Sequence, residues 1–318
     1  MKKEKEIKIK RFEENPLLAP NQNIKWMSKN VFNCGVVIGD DDIYRMLIRG
    51  AWTNTQVGSD LGMALSSDGI KWNPLVEPVL RSGCNEHCLV GIEDPRIVKW
   101  IDNFYYIFAT ACNIDGGRVG IWKTKNFIDY EWVGIPFDKE DKDASIFPEP
   151  IDGWVYLLHR KTPHIWISRT RDLTLKTGWQ DSQILSSKGD WHKSPMTGNT
   201  PAKIGIAGPP IKTPKGWLVI THVVHGKGEN RFNRAYSLGF MVLNLNNPTE
   251  IEYIHSAPIL WPEKDYEIVG SVPNVCFSNA IVDPNPENNK GALYIYYGGA
   301  DTVVCGGRLY KEDLPMCY

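Results

Sequence analysis

The sequence has 318 residues and is 42% hydrophobic, which is enough to bury one large core or two ordinary ones. A formal net charge of −1 gives no indication of nucleic acid or an anionic membrane as partner. No apolar run reaches transmembrane length, and the charged residues 1–6 lack the apolar segment of a signal peptide, so we expect a cytoplasmic protein.

Five aromatic-rich segments with similar beginnings are spread along the chain. Each starts at a turn residue, continues as an apolar strand and is followed by a second strand, which favours an all-β fold. The five segments are Asp41–Gly50, Asp102–Ala111, Asp152–Arg160, Lys215–His222 and Lys290–Gly299. The strands that follow them are Ser59–Leu65, Arg118–Lys123, His164–Ser168, Tyr236–Leu243 and Asp301–Tyr310.

A third element precedes each aromatic segment and carries proline or an unusual polar residue. These elements are Phe32–Val37, Gly91–Val98, Ala144–Ile151, Lys203–Lys212 and Val272–Val282. The whole unit recurs five times at roughly sixty-residue spacing, which predicts a five-bladed β-propeller with its functional site at one mouth of the central channel. A two-sheet sandwich is the alternative, and it explains a fivefold repeat poorly.

We expect residues 1–318 to form one propeller domain. Residues before about Pro16 are predicted to form a short arm, and Met316–Tyr318 a closing strand or a tail. The seven cysteines are scattered and odd in number, which fits free thiols in a reducing compartment. Cys84 and Cys88 form the only close pair, and because no second pair completes a ligand set we expect no metal.

The segment Gly91–Arg96 (GIEDPR) has an unusual composition for a strand. Pro95 lacks a backbone donor, so the segment is not an ordinary central strand, and it favours a strand start, an edge or an inner strand facing an opening. An ion pair between Asp94 and Arg96 in a polar turn is the plainer interpretation of the motif alone.

Polar residues of the repeated units form a set with many cations. Unit by unit they are Asn33 and Arg49; Asp94 and Arg96; Lys142, His159 and Arg160; Lys203, His222 and Tyr236; and Asn274 and Asp301. Cationic side chains that face a carboxylate in a concave site suit an anionic ligand. Phosphate is the small anion that we favour, because Arg and Lys donors match its oxygens.

At these residues the chain resembles glycoside hydrolase family 130, the β-mannoside phosphorylases and related β-mannosidases. The matching strings are GIEDPR, KDASIFPEPIDGWVYLLHR, KIGIAGPPIKTPKGWLVITH, YSLGFMVLNLNNP, DYEIVGSVPNVCF and YIYYGGADT. They extend from about Asn33 to Asp301. The fold of this family is a five-bladed β-propeller, which agrees with the repeat counted independently above.

The resemblance implies a role for each matching position. Asp94 corresponds to the sole catalytic acid, whose proton is thought to pass through a hydroxyl of the bound mannose. The phosphate-binding positions correspond to Lys142, Arg160, Lys203, His222 and Tyr236. The positions that hold the mannosyl unit correspond to Asn33, Arg49 and Asp301. Lys142 stands where the family often has arginine, and His225–Arg234 is longer than usual.

Three functions compete at this point. An inverting phosphorylase, which would form α-mannose 1-phosphate, needs one acid, inorganic phosphate as co-substrate and no other cofactor. An inverting β-mannosidase needs a second carboxylate roughly 6.5–9.5 Å from the first, for which Glu149, Glu267 and Glu93 are available. A sugar-binding propeller without catalysis has no need of Asp94 beside a phosphate cluster.

We favour the phosphorylase, acting on a mannose-containing oligosaccharide. The sequence leaves open the linkage (β-1,2 or β-1,4), the acceptor sugar (mannose, glucose or N-acetylglucosamine) and the oligomeric state, including a homo-oligomer.

Overall fold

The structure is a computed structural model that describes residues 7–53, 58–195, 198–226 and 231–318. Its strands form five small antiparallel sheets arranged as a five-bladed β-propeller, which confirms the predicted all-β fold. In the described part of the chain, no helix is long and apolar enough to cross a membrane.

The blades follow one another along the chain, after a short strand β1 (Lys10–Arg11). Blade 1 contains β2 (Asn30–Ile38), β3 (Tyr44–Ala51), β4 (Ser59–Ser66) and β5 (Asn73–Pro74). Blade 2 contains β6 (Gly91–Lys99), β7 (Tyr105–Asn113), β8 (Gly116–Thr124) and β9 (Glu131–Gly134). Blade 3 contains β10 (Lys142–Ile146), β11 (Val155–Lys161), β12 (His164–Thr170) and β13 (Gln180–Ser186).

The last two blades depart from this simple order. Blade 4 contains β14 (Pro201–Ile206), β15 (Ile211–Thr213), β16 (Gly216–His225), β17 (Ala235–Leu243) and β18 (Ile251–Ile254). Blade 5 contains β19 (Cys276–Val282), β20 (Ala292–Gly299) and β21 (Val303–Tyr310), with β1 as its fourth strand. The helices are short: α1 (Asp265–Ile268) and the 3-10 turns Lys25–Met27, Lys188–Asp190, Arg231–Asn233 and Lys311–Asp313.

The ring is closed by the strand β1, which pairs with β21. A bidentate ion pair reinforces this closure, because Arg11 donates to both carboxylate oxygens of the buried Glu267 at 2.7 and 2.8 Å. Met316–Tyr318 forms no strand, so of the two alternatives expected for this segment, a closing strand or a tail, the closing strand is wrong. Because β1 has only two residues and both are charged, the strand itself contains no alternation of apolar and polar residues from which it could be predicted.

Apolar side chains fill the spaces between blades. Phe147 of blade 3 meets Trp217 of blade 4 edge-on, with ring centroids 5.1 Å apart. Trp26 lies flat against blade 1, where a Cβ on Gly50 or Gly62 would come within 2.4 Å of its ring. Two glycines are thus required for this contact, which holds the segment before β2 against its blade.

Every innermost strand contains a β-bulge. The pairing shifts register between Phe32 and Gly35, Glu93 and Arg96, Lys142 and Ser145, Pro201 and Lys203, and Ser278 and Ala280. In the first three blades the first bulged residue has a positive φ: 47° at Asn33, 55° at Asp94 and 50° at Asp143. Bulges re-aim side chains and cluster beside active sites, so these three equivalent residues mark where the inner strands serve function.

Candidate active site

A polar pocket of about 270 Å³ lies at the end of the ring where the inner strands begin. It is lined by Asn33, Arg49, Glu93, Asp94, Lys142, Asp143, Arg160, Lys203, Arg234, Tyr236, Val272, Phe277 and Asp301. Of the residues to which the family resemblance gives a role, all except His222 line this pocket. Three other members of the predicted polar set also do not line it: Arg96, His159 and Asn274. Larger clefts of about 560 and 680 Å³ lie elsewhere on the surface, but neither is lined by any of the predicted site residues.

Asp94 occupies a well-defined position in this pocket. Its Oδ1 accepts hydrogen bonds from Asn33 Nδ2 at 3.0 Å and Arg49 Nη1 at 3.1 Å, and the residue is 7% exposed. The second guanidinium nitrogen of Arg49 donates to Glu93 Oε1 at 2.6 Å. Although burial opposes it, the charges of Glu93 and Asp94 hold the pKa of Arg49 above its usual value. Arg49 is therefore a permanent cation that fixes both acids.

Arg96 does not pair with the Asp94 carboxylate, so the interpretation of the motif as a local ion pair is wrong. Its guanidinium donates to three backbone carbonyls: Ala207 at 2.6 Å, Ile206 at 2.9 Å and Asp94 itself at 3.0 Å. Arg96 therefore ties the inner strand of blade 2 to that of blade 4. The carboxylate of Asp94 remains in the pocket.

Asp143 lines the pocket and is the centre of a buried charge cluster. Its carboxylate lies 2.9 Å from Arg160 Nη1, 3.1 Å from His222 Nε2 and 3.2 Å from Arg96 Nη2. Burial alone would raise the pKa of Asp143, but Arg160, His222 and Arg96 hold it well below its usual range. Asp143 is consequently an anion that orients Arg160 from behind.

Asp143 was not among the site residues predicted from the sequence, although the sequence carried a signal for it. Asn33, Asp94 and Asp143 are equivalent bulge residues of three successive inner strands. Aligning the repeats at this position, and not only at their aromatic segments, would have added Asp143 to the set.

The lysines of the pocket differ in their ion pairs and in the direction of their pKa shifts. Lys142 Nζ lies 3.6 Å from Glu93 Oε2; burial opposes its charge, but Glu93 raises its pKa. Burial and the charge of Arg160 lower the pKa of Lys203 to about 8, although the carboxylate of Asp143 opposes this shift. Arg234, a cation that the sequence analysis did not select, lines the same pocket. Lys203 is therefore the group that gains most from an incoming anion.

His222 lies one layer behind the pocket. It is fully buried, its ring packs against Phe277 with centroids 4.3 Å apart, and its Nε2 approaches Arg160 Nη1 at 3.5 Å. Burial lowers the pKa of His222 to about 4, so the ring is neutral near pH 7. Direct contact between His222 and phosphate remains a prediction; the contact seen here is to Arg160 and Asp143.

His159 is likewise buried, and it belongs to the blade core. Its Nδ1 is 2.6 Å from Asp141 Oδ2 and its Nε2 is 2.8 Å from Ser168 Oγ. The ring stacks on Phe137. These contacts give His159 a structural role.

Tyr236, Asn274 and Asp301 come from blades 4 and 5. Tyr236 lines the pocket, and burial with the nearby charge of Asp301 raises its pKa, so it is a neutral hydroxyl. The backbone N–H of Tyr236 donates to the backbone carbonyl of Asn274 at 2.9 Å. Asn274 thus helps to position the strand that carries Tyr236. Asp301 follows β20 with a φ of 49° and presents a carboxylate to the pocket.

Two of the three acids considered for a hydrolase lie outside the pocket. Glu149 pairs with Lys212 at 2.5 Å on the surface. Glu267 is wholly buried, where it binds Arg11 and accepts from Tyr297 Oη at 2.8 Å. Of the three, only Glu93 lines the pocket, and it is engaged by both Arg49 and Lys142. Among the described residues, no group of three or more His, Cys, Asp or Glu side chains could hold a metal ion.

Comparisons with known proteins identify the family of the chain. The model of glycoside hydrolase family 130, described as beta-1,4-mannooligosaccharide phosphorylase, matches residues 5–315. A 1,2-beta-oligomannan phosphorylase of Thermoanaerobacter sp. (strain X514) is 37% identical, covering 98% of this chain and 100% of the relative. A beta-1,2-mannobiose phosphorylase of the same organism is 35% identical, with the same coverage.

More distant similarities point the same way. A beta-1,4-mannooligosaccharide phosphorylase of Ruminococcus albus is 28% identical, covering 93% of this chain and 86% of the relative. Among solved structures, the beta-1,2-mannobiose phosphorylase of Listeria innocua in complex with beta-1,2-mannobiose has a TM-score of 0.80 at 27% identity. That similarity covers 97% of this chain and 99% of the Listeria chain.

Proposed function

The chain belongs to glycoside hydrolase family 130, and on this premise we propose that it is an inverting phosphorylase of β-1,2-linked manno-oligosaccharides. The products would be α-mannose 1-phosphate and an oligosaccharide shortened by one mannose. The observation that carries this proposal is the convergence of Asp94 with Lys142, Arg160 and Lys203 in one pocket.

The acid and the cations lie on different sides of the pocket, which supports a reaction in which an acid and a phosphate act on opposite faces of the sugar. On one side, Asp94 is held by Asn33 and Arg49, and it would act on the glycosidic oxygen. On the other, Lys142, Arg160 and Lys203 would hold the phosphate dianion through charge-assisted hydrogen bonds. The mannosyl unit would lie between them, near Asp301.

The bond changes follow from this arrangement. A phosphate oxygen attacks the anomeric carbon as the bond to the leaving sugar breaks. A proton from Asp94, relayed by a hydroxyl of the mannose, neutralises the departing oxygen. Because phosphate attacks from the face opposite the leaving group, a β-mannoside yields the α-phosphate. Phosphate takes the place of water and of the general base, so one acid is sufficient.

Hydrolysis is the second candidate. Asp301 also presents a carboxylate to the pocket, so the argument against hydrolysis rests on the ion pairs of Glu93 and on the cationic lining. Glu93 is the only one of the three considered acids in the pocket, and Arg49 and Lys142 both bind it. A general base needs an oxygen that can reach water, whereas Glu93 has cationic partners at both of its oxygens. A cluster of cations around Lys203 also has no purpose in a reaction with neutral water.

The preference for the β-1,2 linkage is supported by the two relatives of 37% and 35% identity over nearly the whole chain, both named for β-1,2-mannosides. The β-1,4 linkage is the alternative, favoured by the family description and by the Ruminococcus albus relative.

The test is to incubate the protein with β-1,2-mannobiose, β-1,2-mannotriose, β-1,4-mannobiose and mannosyl-β-1,4-glucose, each with and without phosphate. We expect mannose 1-phosphate from the β-1,2 substrates only when phosphate is present, with α configuration by NMR. Mannose released at the same rate without phosphate would identify a hydrolase. Preference for a β-1,4 substrate would overturn the linkage and leave the phosphorylase assignment intact.

A further inference from the structure

Two cysteines in the loop that leads to β6 are in contact. The Sγ atoms of Cys84 and Cys88 lie 3.1 Å apart. This separation is only about 1 Å longer than the roughly 2.05 Å of a disulfide bond. The only close pair of cysteines in the sequence is therefore a pair of adjacent thiols in the structure.

The backbone of the loop already has the shape that a crosslink requires. Gly83 N–H donates to the Cys88 carbonyl at 2.9 Å and so closes the loop at its base. Cys84 N–H donates to Arg81 O at 3.2 Å, and Cys88 N–H donates to Asn85 O at 3.3 Å. A bond between the sulfurs would thus need a small side-chain adjustment and no change in the path of the chain.

The two thiols differ from the other cysteines in access and in ionisation. Cys84 is exposed, whereas Cys88 is fully buried directly behind it. The hydrogen bond between the two sulfurs lowers the pKa of Cys88 and raises the pKa of Cys84. The other five cysteines, Cys34, Cys112, Cys276, Cys305 and Cys317, are buried or half-buried, and burial raises the pKa of each. An exposed thiol, Cys84, and a thiol with a lowered pKa, Cys88, are therefore neighbours only in this pair, and the short distance between the sulfurs lets them act together.

We propose that Cys84 and Cys88 are a reversible oxidation site, at which a small-molecule disulfide converts the pair into an intramolecular disulfide. In the first step a sulfur of the small disulfide bonds to the exposed Cys84, and one small thiolate leaves. In the second step Cys88 Sγ attacks Cys84 Sγ, and the second small thiolate leaves. The protein loses two hydrogens, and the small disulfide is reduced to two thiols.

The crosslink would lie next to the strand of Asp94 without occupying the pocket. Val90 N–H donates to Cys112 O at 3.0 Å, and Val90 O accepts from Gly58 N–H at 2.9 Å. These two hydrogen bonds fix Val90, which lies between the cysteine loop and the start of β6, to the neighbouring strands. Oxidation should therefore tighten the loop and leave the inner strand of blade 2 in place.

Peptide mapping with oxidised glutathione as the probe tests the proposal. The reduced protein is incubated with oxidised glutathione, alkylated with iodoacetamide and digested with trypsin, which releases residues 82–96 with both cysteines. We expect this peptide to escape alkylation and to weigh two hydrogens less than the reduced peptide. Dithiothreitol should restore alkylation, and the other five cysteines should be alkylated throughout when the protein is denatured before the reagent is added.

Two variants assign the steps. In Cys88→Ser the reaction should stop with one glutathione on Cys84, because the second thiol is absent. In Cys84→Ser the peptide should remain unmodified, because Cys88 is buried. The proposal is overturned if the wild-type protein retains glutathione on Cys84, or if both thiols stay alkylated while Cys112 is modified. The wild-type mapping decides the matter even if a variant fails to fold.

Discussion

Replacing Asp143 by asparagine would remove one negative charge from the centre of the buried cluster and keep its size. Arg96 and Arg160 would then be left without the carboxylate that lies 3.2 and 2.9 Å from them. Breaking a buried ion pair by removing one partner typically costs about 3–5 kcal/mol. An unfolding entropy of about 2.1 cal/mol/K per residue gives roughly 0.67 kcal/mol/K for this chain, so Tm should fall by about 4–8 °C.

The effect on catalysis separates two roles for Asp143. If the carboxylate orients Arg160, the variant should bind phosphate poorly, and kcat/KM for phosphate should fall roughly 10–100-fold, the scale of a misplaced binding group. If Asp143 acts only through its negative charge and does not position Arg160, its removal makes the pocket more positive, and KM for phosphate should fall. We expect the first result, because Arg160 is in direct contact with Asp143.

Asp141 provides the matched control. It is as buried as Asp143 and pairs with a histidine, His159, at 2.6 Å, but it does not line the pocket. Asp141→Asn should lower Tm and leave KM for phosphate unchanged. Phosphate-dependent initial rates and thermal melts of both variants are the measurements. Equal effects of the two variants on KM for phosphate would refute the positioning role of Asp143.

Three further predictions concern the remaining charges. Arg160→Ala should raise KM for phosphate roughly 10–100-fold and KM for the sugar much less, since charge-assisted hydrogen bonds contribute about 1.5–3 kcal/mol; unchanged phosphate dependence would contradict this. The lowered pKa of Lys203, about 8 against an ordinary 10.5, means that the unfolded chain binds more protons between these values, so this group lets stability rise with pH there. The free energy of unfolding of Lys203→Met, measured by denaturant titration, should therefore exceed that of wild type at pH 7, and the difference should shrink from pH 8 to 10.5. The KM of this variant for phosphate should no longer increase as the pH rises through 8. Asp94→Asn should lower kcat per folded molecule about 10²–10⁴-fold in both phosphorolysis and synthesis. Because Arg49 keeps its partner Glu93, Tm should fall less than in Asp143→Asn, and turnover within about threefold of wild type would exclude Asp94 as proton donor.

The propeller could be predicted from the sequence because each blade repeats the same short pattern of residues. A turn residue, an aromatic strand and a second strand recur in each of the five units, and all five inner elements appear as β2, β6, β10, β14 and β19. Apart from β1 in blade 5 and the pairing of β14 with β16 in blade 4, strands pair with their neighbours in the chain, so the local pattern is enough to find the blades.

The details of the site were harder to predict because they depend on contacts between blades. Arg96 looked like a partner of Asp94, yet it reaches the backbone of blade 4, more than a hundred residues away. Glu267 looked like a free acid, and it is the partner of Arg11. Asp143 was hidden because a bulge, and not a residue type, decides which side chain turns inward. Such facts follow from the closed ring and not from any one repeat.

The closure of the ring by β1 also has a consequence for how the protein acquires activity. Arg11 meets Glu267 across 256 positions of chain, a contact of high order that forms slowly during folding. The pocket takes Arg49, Asp94, Arg160, Lys203 and Asp301 from five different blades. Individual blades can therefore gain their strands while the enzyme is still inactive. During refolding, phosphorolysis should recover after the circular dichroism of the strands, with a delay that lengthens when Arg11→Ala weakens the last contact.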